Sequence, residues 1–99
     1  MPEYIYVWEF KVVAQRQQDF ERHYGSDGTW VRLFRQHPGY IDTRLMQDRA
    51  SPLHYVTIDR WRNVEAYQDF RARYASQYDD LDKLCQNLTT EEVSLGRLQ

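Results

Sequence analysis

The sequence predicts an α+β fold, a ferredoxin-like βαββαβ domain built on a four-stranded antiparallel sheet. Three observations predict it. The first segment carries aromatic residues at a two-residue period, and two further strand-like segments are joined by a short polar loop. A long run of apolar residues at helical spacing then precedes a last alternating segment. Ninety-nine residues suit a single domain, here residues 1-99.

Glu3 to Val13 is rich in aromatic and β-branched residues and reads as a strand. Tyr4, Tyr6, Trp8, Phe10 and Val12 share one face; Ile5, Val7 and Val13 share the other with Glu9 and Lys11. Both faces are partly apolar, as in a strand covered on two sides. Gln15 to Tyr24 follows as a polar helix with Phe20 and Tyr24 on one side. Gly25-Ser26-Asp27-Gly28 interrupts it, and Asp27 or Thr29 is expected to cap a second piece. That piece carries the stripe Trp30, Leu33 and Phe34, and His37-Pro38-Gly39 ends it.

Tyr40 to Asp48 and Leu53 to Trp61 read as strands, and the loop Arg49-Ala50-Ser51-Pro52 is short enough for a hairpin. Asn63 supplies a helix cap. From Val64, Tyr67, Phe70, Tyr74, Tyr78, Leu81, Leu84, Cys85 and Leu88 recur at three- and four-residue steps, with a break expected at Asp79-Asp80. Glu92 to Leu98 is the last strand, with Val93, Leu95 and Arg97 alternating against Ser94 and Gly96. Right-handed crossovers place the helices on one sheet face. The other face is too apolar to stand in water as one patch, which predicts a homodimer stacked sheet on sheet.

Composition narrows the function. Fifteen carboxylates against thirteen Lys and Arg give a formal charge of -2, the wrong sign for holding nucleic-acid phosphates. Nothing approaches the length of a membrane span, and Met1-Pro2-Glu3-Tyr4 lacks the layout of a signal peptide, so a cytoplasmic protein with no membrane partner is expected. The lone Cys85 has no disulfide partner. Aromatic residues are 15% of the chain, many for so small a core, and some are expected to line a cavity or a partner surface.

Chemistry-bearing motifs are few. There is no G-x-S-x-G, no P-loop and no dinucleotide fingerprint, and His23, His37 and His54 show no metal-ligand spacing. A metal site and enzymes that lean on nucleotide cofactors are therefore disfavoured. Asp59 lies inside a strand, on a face with Tyr55, Thr57 and Trp61. It reads either as a general base with a raised pKa or, preferred on pattern, as a cross-strand ion pair with Arg44. Trp61 at a strand end and Tyr67 one turn past Asn63 can flank a cavity mouth and sandwich a flat ligand. Pattern alone favours two rings that plug the core.

The run from Tyr55 to Tyr67, a strand ending in Trp61 followed by a capped helix opening, resembles the signature of the antibiotic biosynthesis monooxygenase superfamily. Gly28-Thr29-Trp30, Leu33-Phe34 and Pro38-Gly39-Tyr40, leading to Thr43 and Leu45, extend the resemblance over nearly the whole chain. It implies a dimeric α/β barrel. It also implies oxygenation of a small aromatic, phenolic or quinol-like substrate by molecular oxygen without metal, flavin or nicotinamide. On this basis Trp61, Thr57 and Asp59 are the candidate catalytic residues. Tyr67, Trp30, Phe34 and Arg44 are the candidate substrate-binding residues. The family's catalytic Asn falls at Thr57 here, and a hydroxyl does not reproduce an amide. Haem-degrading relatives carry a ligating His at the position of Arg71 and an Asn in the first strand, so haem is not implied as substrate.

Two other functions fit the same element order. One is a non-catalytic ligand-binding or dimerisation module, which the Asn-to-Thr departure favours. The other is an RNA-recognition motif, but Leu53-His54-Tyr55-Val56-Thr57-Ile58-Asp59 lacks that motif's Gly-aromatic core and the charge opposes it.

Overall fold

The structure, a computed structural model, describes residues 2–98, with side chains described as far as Leu95. Strand β1 (Tyr4–Val12) leads through a 3-10 turn (Ala14–Arg16) into helices α1 (Gln17–Tyr24) and α2 (Thr29–Phe34). Strands β2 (Tyr40–Gln47) and β3 (His54–Trp61) follow, then helices α3 (Val64–Arg73) and α4 (Ala75–Cys85), and strand β4 (Thr89–Leu98). The sheet order is β2-β3-β1-β4 with every neighbour antiparallel, the ferredoxin-like arrangement. Among the described residues no helix is long and apolar enough to cross a membrane.

The register aligns the helix-facing residues in rows across the sheet. Tyr40, Trp61 and Tyr4 form the first; Thr43, Asp59 and Tyr6 the second. Leu45, Thr57, Trp8 and Ser94 form the third; Gln47, Tyr55, Phe10 and Glu92 the fourth. An irregularity in β2 between Tyr40 and Asp42 lets both Tyr40 and Thr43 face the helices although they are three residues apart.

The helices cover the ends of this face with rings. Phe20 and Tyr24 of α1 pack on Phe10 at 5.3 and 5.0 Å between ring centres. Phe34 of α2 and Phe70 of α3 close on Trp61 at 5.6 and 4.9 Å, and Tyr78 of α4 meets Trp30 edge-on at 4.9 Å. Asn63 caps α3 as its sequence position predicts, its side chain accepting from the Ala66 N–H at 2.8 Å.

Several local expectations are corrected. Neither Asp27 nor Thr29 caps α2: Gly28 holds that position without a side-chain bond. Asp27 pairs with Arg35 at 3.1 Å, and the Thr29 hydroxyl bonds His23 Nδ1 at 2.8 Å. Gly28 is needed for space, since a Cβ there would lie 2.7 Å from the carbonyl oxygens of both Arg22 and His23. The break in the last helical run falls at Tyr74 (φ -113°, ψ 27°), not at Asp79-Asp80. Bonds from Tyr74 N–H to Phe70 and from Tyr78 N–H to Tyr74 continue across it. The bend keeps Phe70 on Trp61 and Tyr78 on Trp30, a packing demand that acidic residues on the exposed side do not report. Leu84, counted in the periodic stripe, is 63% exposed. β4 begins at Thr89, where it pairs with Val12. The predicted facing of Arg97 lies outside the described side chains.

The opposite face of the sheet has no helix. Val7 is buried at its centre, beside partly buried Val56 and Ile58, while Met46 and Val93 are exposed. Ion pairs border this apolar strip: Arg60 with Asp42 at 2.8 Å, His54 with Glu9 at 2.9 Å, and Lys11 with Glu91 at 3.4 Å.

Candidate functional site

The middle of the helix-facing surface is left open. Between the ring clusters at the two ends lies a half-open cavity of about 300 Å³, within the range that small-molecule sites occupy. Its floor is the second and third rows of the sheet, with Thr43, Thr57 and Asp59 and, on β1, the rings of Tyr6 and Trp8. Those two rings stack on each other, 5.6 Å between centres and 10° from parallel. Trp30 and Phe34 of α2 and Tyr67, Arg71 and Tyr78 of α3 and α4 enclose it from above.

Asp59 is the polar centre of the floor. Its Oδ1 accepts a 2.7 Å hydrogen bond from the Thr43 hydroxyl, which in turn accepts one of 2.7 Å from the Tyr40 hydroxyl. Burial pushes the Asp59 carboxyl up to about 6, against the opposing pull of the Thr43 donor and with a small push from the Asp42 charge. Burial likewise pushes the Tyr40 phenol up to about 12. Thr57, 4% exposed, lines the cavity and its hydroxyl has no hydrogen-bond partner among the described residues.

The roof carries the positive charge. Arg71 donates to the Tyr67 hydroxyl at 3.2 Å, and its guanidinium lies 3.8 Å over the ring of Tyr78. Burial raises the pKa of both phenols, so both stay protonated at neutral pH. None of the three histidines lines the cavity, and among the described residues no group of three His, Cys, Asp or Glu side chains has a metal-binding arrangement.

Of the residues singled out in the sequence, Thr57, Asp59, Tyr67, Trp30 and Phe34 come together around this cavity. Trp61 and Arg44 do not. Trp61 is fully buried behind Tyr67 (5.4 Å, edge-on), with Phe70 and Phe34 on its other sides and no partner for its Nε1. It plugs the core where α3 meets the sheet. Arg44 pairs in register with Ile58, which puts it on the helix-free side, and Asp59 pairs with Thr43 instead. The expected Arg44–Asp59 ion pair therefore does not form; Arg44 borders a separate shallow hollow beside Glu21 and Gly25. Pattern reading missed Thr43, Tyr6, Trp8, Arg71 and Tyr78. The aromatic two-residue period of β1 and the four-residue step from Tyr67 to Arg71 are the signals that point to them.

The chain is thus a ferredoxin-like domain with an aromatic-walled cavity between its four-stranded antiparallel sheet and its crossover helices, and a carboxylate of raised pKa on the cavity floor. The profile of the antibiotic biosynthesis monooxygenases matches residues 4–77, and the chain belongs to that family. Among solved structures it is similar to a Bordetella bronchiseptica protein assigned to the antibiotic biosynthesis monooxygenases. The two share 20% identity and a TM-score of 0.80 over 100% of this chain and 97% of that one. It is also similar to an asparagine-to-alanine variant of SnoaB, a cofactor-independent oxygenase from Streptomyces nogalater. There the identity is 21% and the TM-score 0.71, over 100% of this chain and 96% of that one. A Fusobacterium nucleatum protein assigned as a monooxygenase is 13% identical, with a TM-score of 0.75 over 98% of this chain; this chain spans only 43% of its length. At these identities the likenesses speak to the fold. No curated protein matches the sequence.

Proposed function

We propose that the protein is a monooxygenase that uses molecular oxygen, without a bound cofactor, on a small aromatic substrate of phenolic or quinol-like type. Asp59 is the observation that carries the reading. A carboxylate whose pKa is about 6 is mostly ionised at pH 7 and still basic enough to take a phenolic proton in a dry site. The substrate ring lies against the Tyr6 and Trp8 rings with its hydroxyl toward Asp59 and Thr57. Arg71 and the Tyr67 hydroxyl favour the anion that forms.

The electrons then come from the substrate. The phenolate passes one electron to oxygen, and the resulting pair joins at a ring carbon as a peroxide. The proton held by Asp59 returns to the peroxide. Loss of the hydrogen on that ring carbon breaks the O–O bond, leaving a quinone carbonyl and one water. Thr43, held by Tyr40, keeps Asp59 oriented and moderates its basicity. Trp61 acts behind Tyr67, as a support for its ring.

We assign the helix-free sheet face to a homodimer contact. Its apolar centre, bordered by charged side chains, has the apolar-core and polar-rim pattern of a protein interface. Sedimentation across the micromolar range tests this, and a monomer throughout would overturn it.

The catalytic proposal is tested by oxygen uptake with hydroquinones and naphthols, without added metal or flavin. Uptake should rise as pH passes through about 6, and Asp59→Asn should lower it by a factor on the order of 10² or more. A second reading is a binding module that returns its ligand unchanged. It is favoured by the absence of any Asn or Gln among the described residues that line the cavity. Stoichiometric binding with no uptake across the panel would decide for it.

A further inference from the structure

Resting on the aromatic-substrate reading, we propose that the ligand of this cavity also carries a cationic nitrogen, remote from its phenolic hydroxyl, and that Asp82 and Glu92 recognise it. The cavity has two polar ends. One is Asp59 with Thr43 and Thr57. At the other, beside Phe10 and Tyr24, α4 contributes Asp82 and β4 contributes Glu92.

Neither of these carboxylates has an ion-pair partner among the described residues. Lys11, the nearest lysine along the paired strands, is engaged with Glu91. Arg71 donates to the Tyr67 hydroxyl and lies over the ring of Tyr78, and it forms no ion pair with either carboxylate. Burial, and then the neighbouring charge of Asp82, raises the pKa of Glu92. Two carboxylates that repel each other at the edge of an apolar cavity are stabilised by a cation placed between them. The rings of Tyr24 and Trp30 line the same end, and aromatic faces combined with carboxylates are the chemistry that holds an ammonium group. Between the two ends Thr57, a residue only 4% exposed, lines the cavity, and its hydroxyl has no partner among the described residues, a donor left for a ligand atom.

The register sets the ligand's length. Asp59 pairs with Tyr6, and Glu92 pairs with Phe10 on the other side of β1. Four strand steps and two interstrand spacings separate their backbones by about 16 Å. One hydrogen-bond length at each end leaves about 10 Å between the ligand's hydroxyl and its nitrogen.

The test is calorimetric titration of a naphthol bearing, at one remote ring position, an aminoethyl, a hydroxyethyl or a carboxyethyl chain. The ammonium ligand should bind about tenfold tighter than the hydroxyethyl one, and the carboxylate more weakly than either. In the Asp82→Asn/Glu92→Gln variant, whose changes lie on exposed side chains, the affinities should converge to within about threefold. The proposal is overturned if the ammonium ligand has no advantage, if its advantage survives in the variant, or if none of the three binds. Because the readout is binding, a protein that prefers the ammonium ligand yet consumes no oxygen would sink the oxygenase reading alone. Oxygen uptake indifferent to charge would sink this one alone.

Discussion

Replacing Asp59 by Asn should stabilise the protein at neutral pH while removing its proton acceptor. The carboxyl has an ordinary value of 3.8 in the unfolded chain and about 6 in the folded one. Below pH 3.8 both states hold the proton, and the residue contributes no pH-dependent difference. As pH rises from there to about 6 the unfolded chain releases its proton first, so the folded state loses stability by about 1.4 kcal/mol per pH unit. Above pH 6 the loss levels off at about 3 kcal/mol. Asparagine carries no charge and its carbonyl accepts the same Thr43 hydroxyl, so the variant avoids that loss. The variant's advantage in urea unfolding should therefore be near zero at pH 3.5 and reach about 3 kcal/mol by pH 7.5. For a chain of this size that corresponds to a Tm gap on the order of 10 °C or more. His54, Asp42 and Asp69 also titrate with shifted values, but they are common to both proteins and cancel. An advantage that does not change with pH, or a variant less stable than wild type at pH 7.5, would refute the placement of this carboxylate.

Thr43→Val removes the donor that holds the Asp59 pKa down, so the carboxyl should titrate above 6 by carbon NMR, and the rising limb of oxygen uptake should move with it. An unmoved titration would show that Thr43 does not bond Asp59. Asn63→Ala removes the bond to the Ala66 N–H and should cost about 1 kcal/mol in urea unfolding, with oxygen-uptake specificity unchanged. Gly28→Ala sets a methyl 2.7 Å from two carbonyl oxygens, so the α1–α2 turn must shift, at a cost of about 1–3 kcal/mol in thermal unfolding. A neutral result would mean that the turn is looser than this geometry.

The family resemblance reached the right family because its motifs follow local rules: a strand period, a Trp at the strand end, and an Asn cap opening the next helix. Reading the candidate site went less far. Trp61 and Tyr67 look equivalent by position, yet Trp61 is sealed behind Tyr67 because Phe34, Phe70 and Tyr40 converge on the strand end. Thr57 and Asp59 were legible as a pair on one strand face. Their chemistry was not, since it depends on which β2 residue lies opposite.

Sequence by itself determined the element order and the α3 cap, because each depends on residues within a few positions of one another. Tertiary structure alone decided that Asp59 meets Thr43 and not Arg44, that Arg71 and Tyr78 join Tyr67 over the cavity, and that Asp82 and Glu92 share its far end. Those facts rest on strand register and a bend at Tyr74. A one-residue change in register exchanges the two faces of a strand, and no local pattern records which face a neighbouring strand will present.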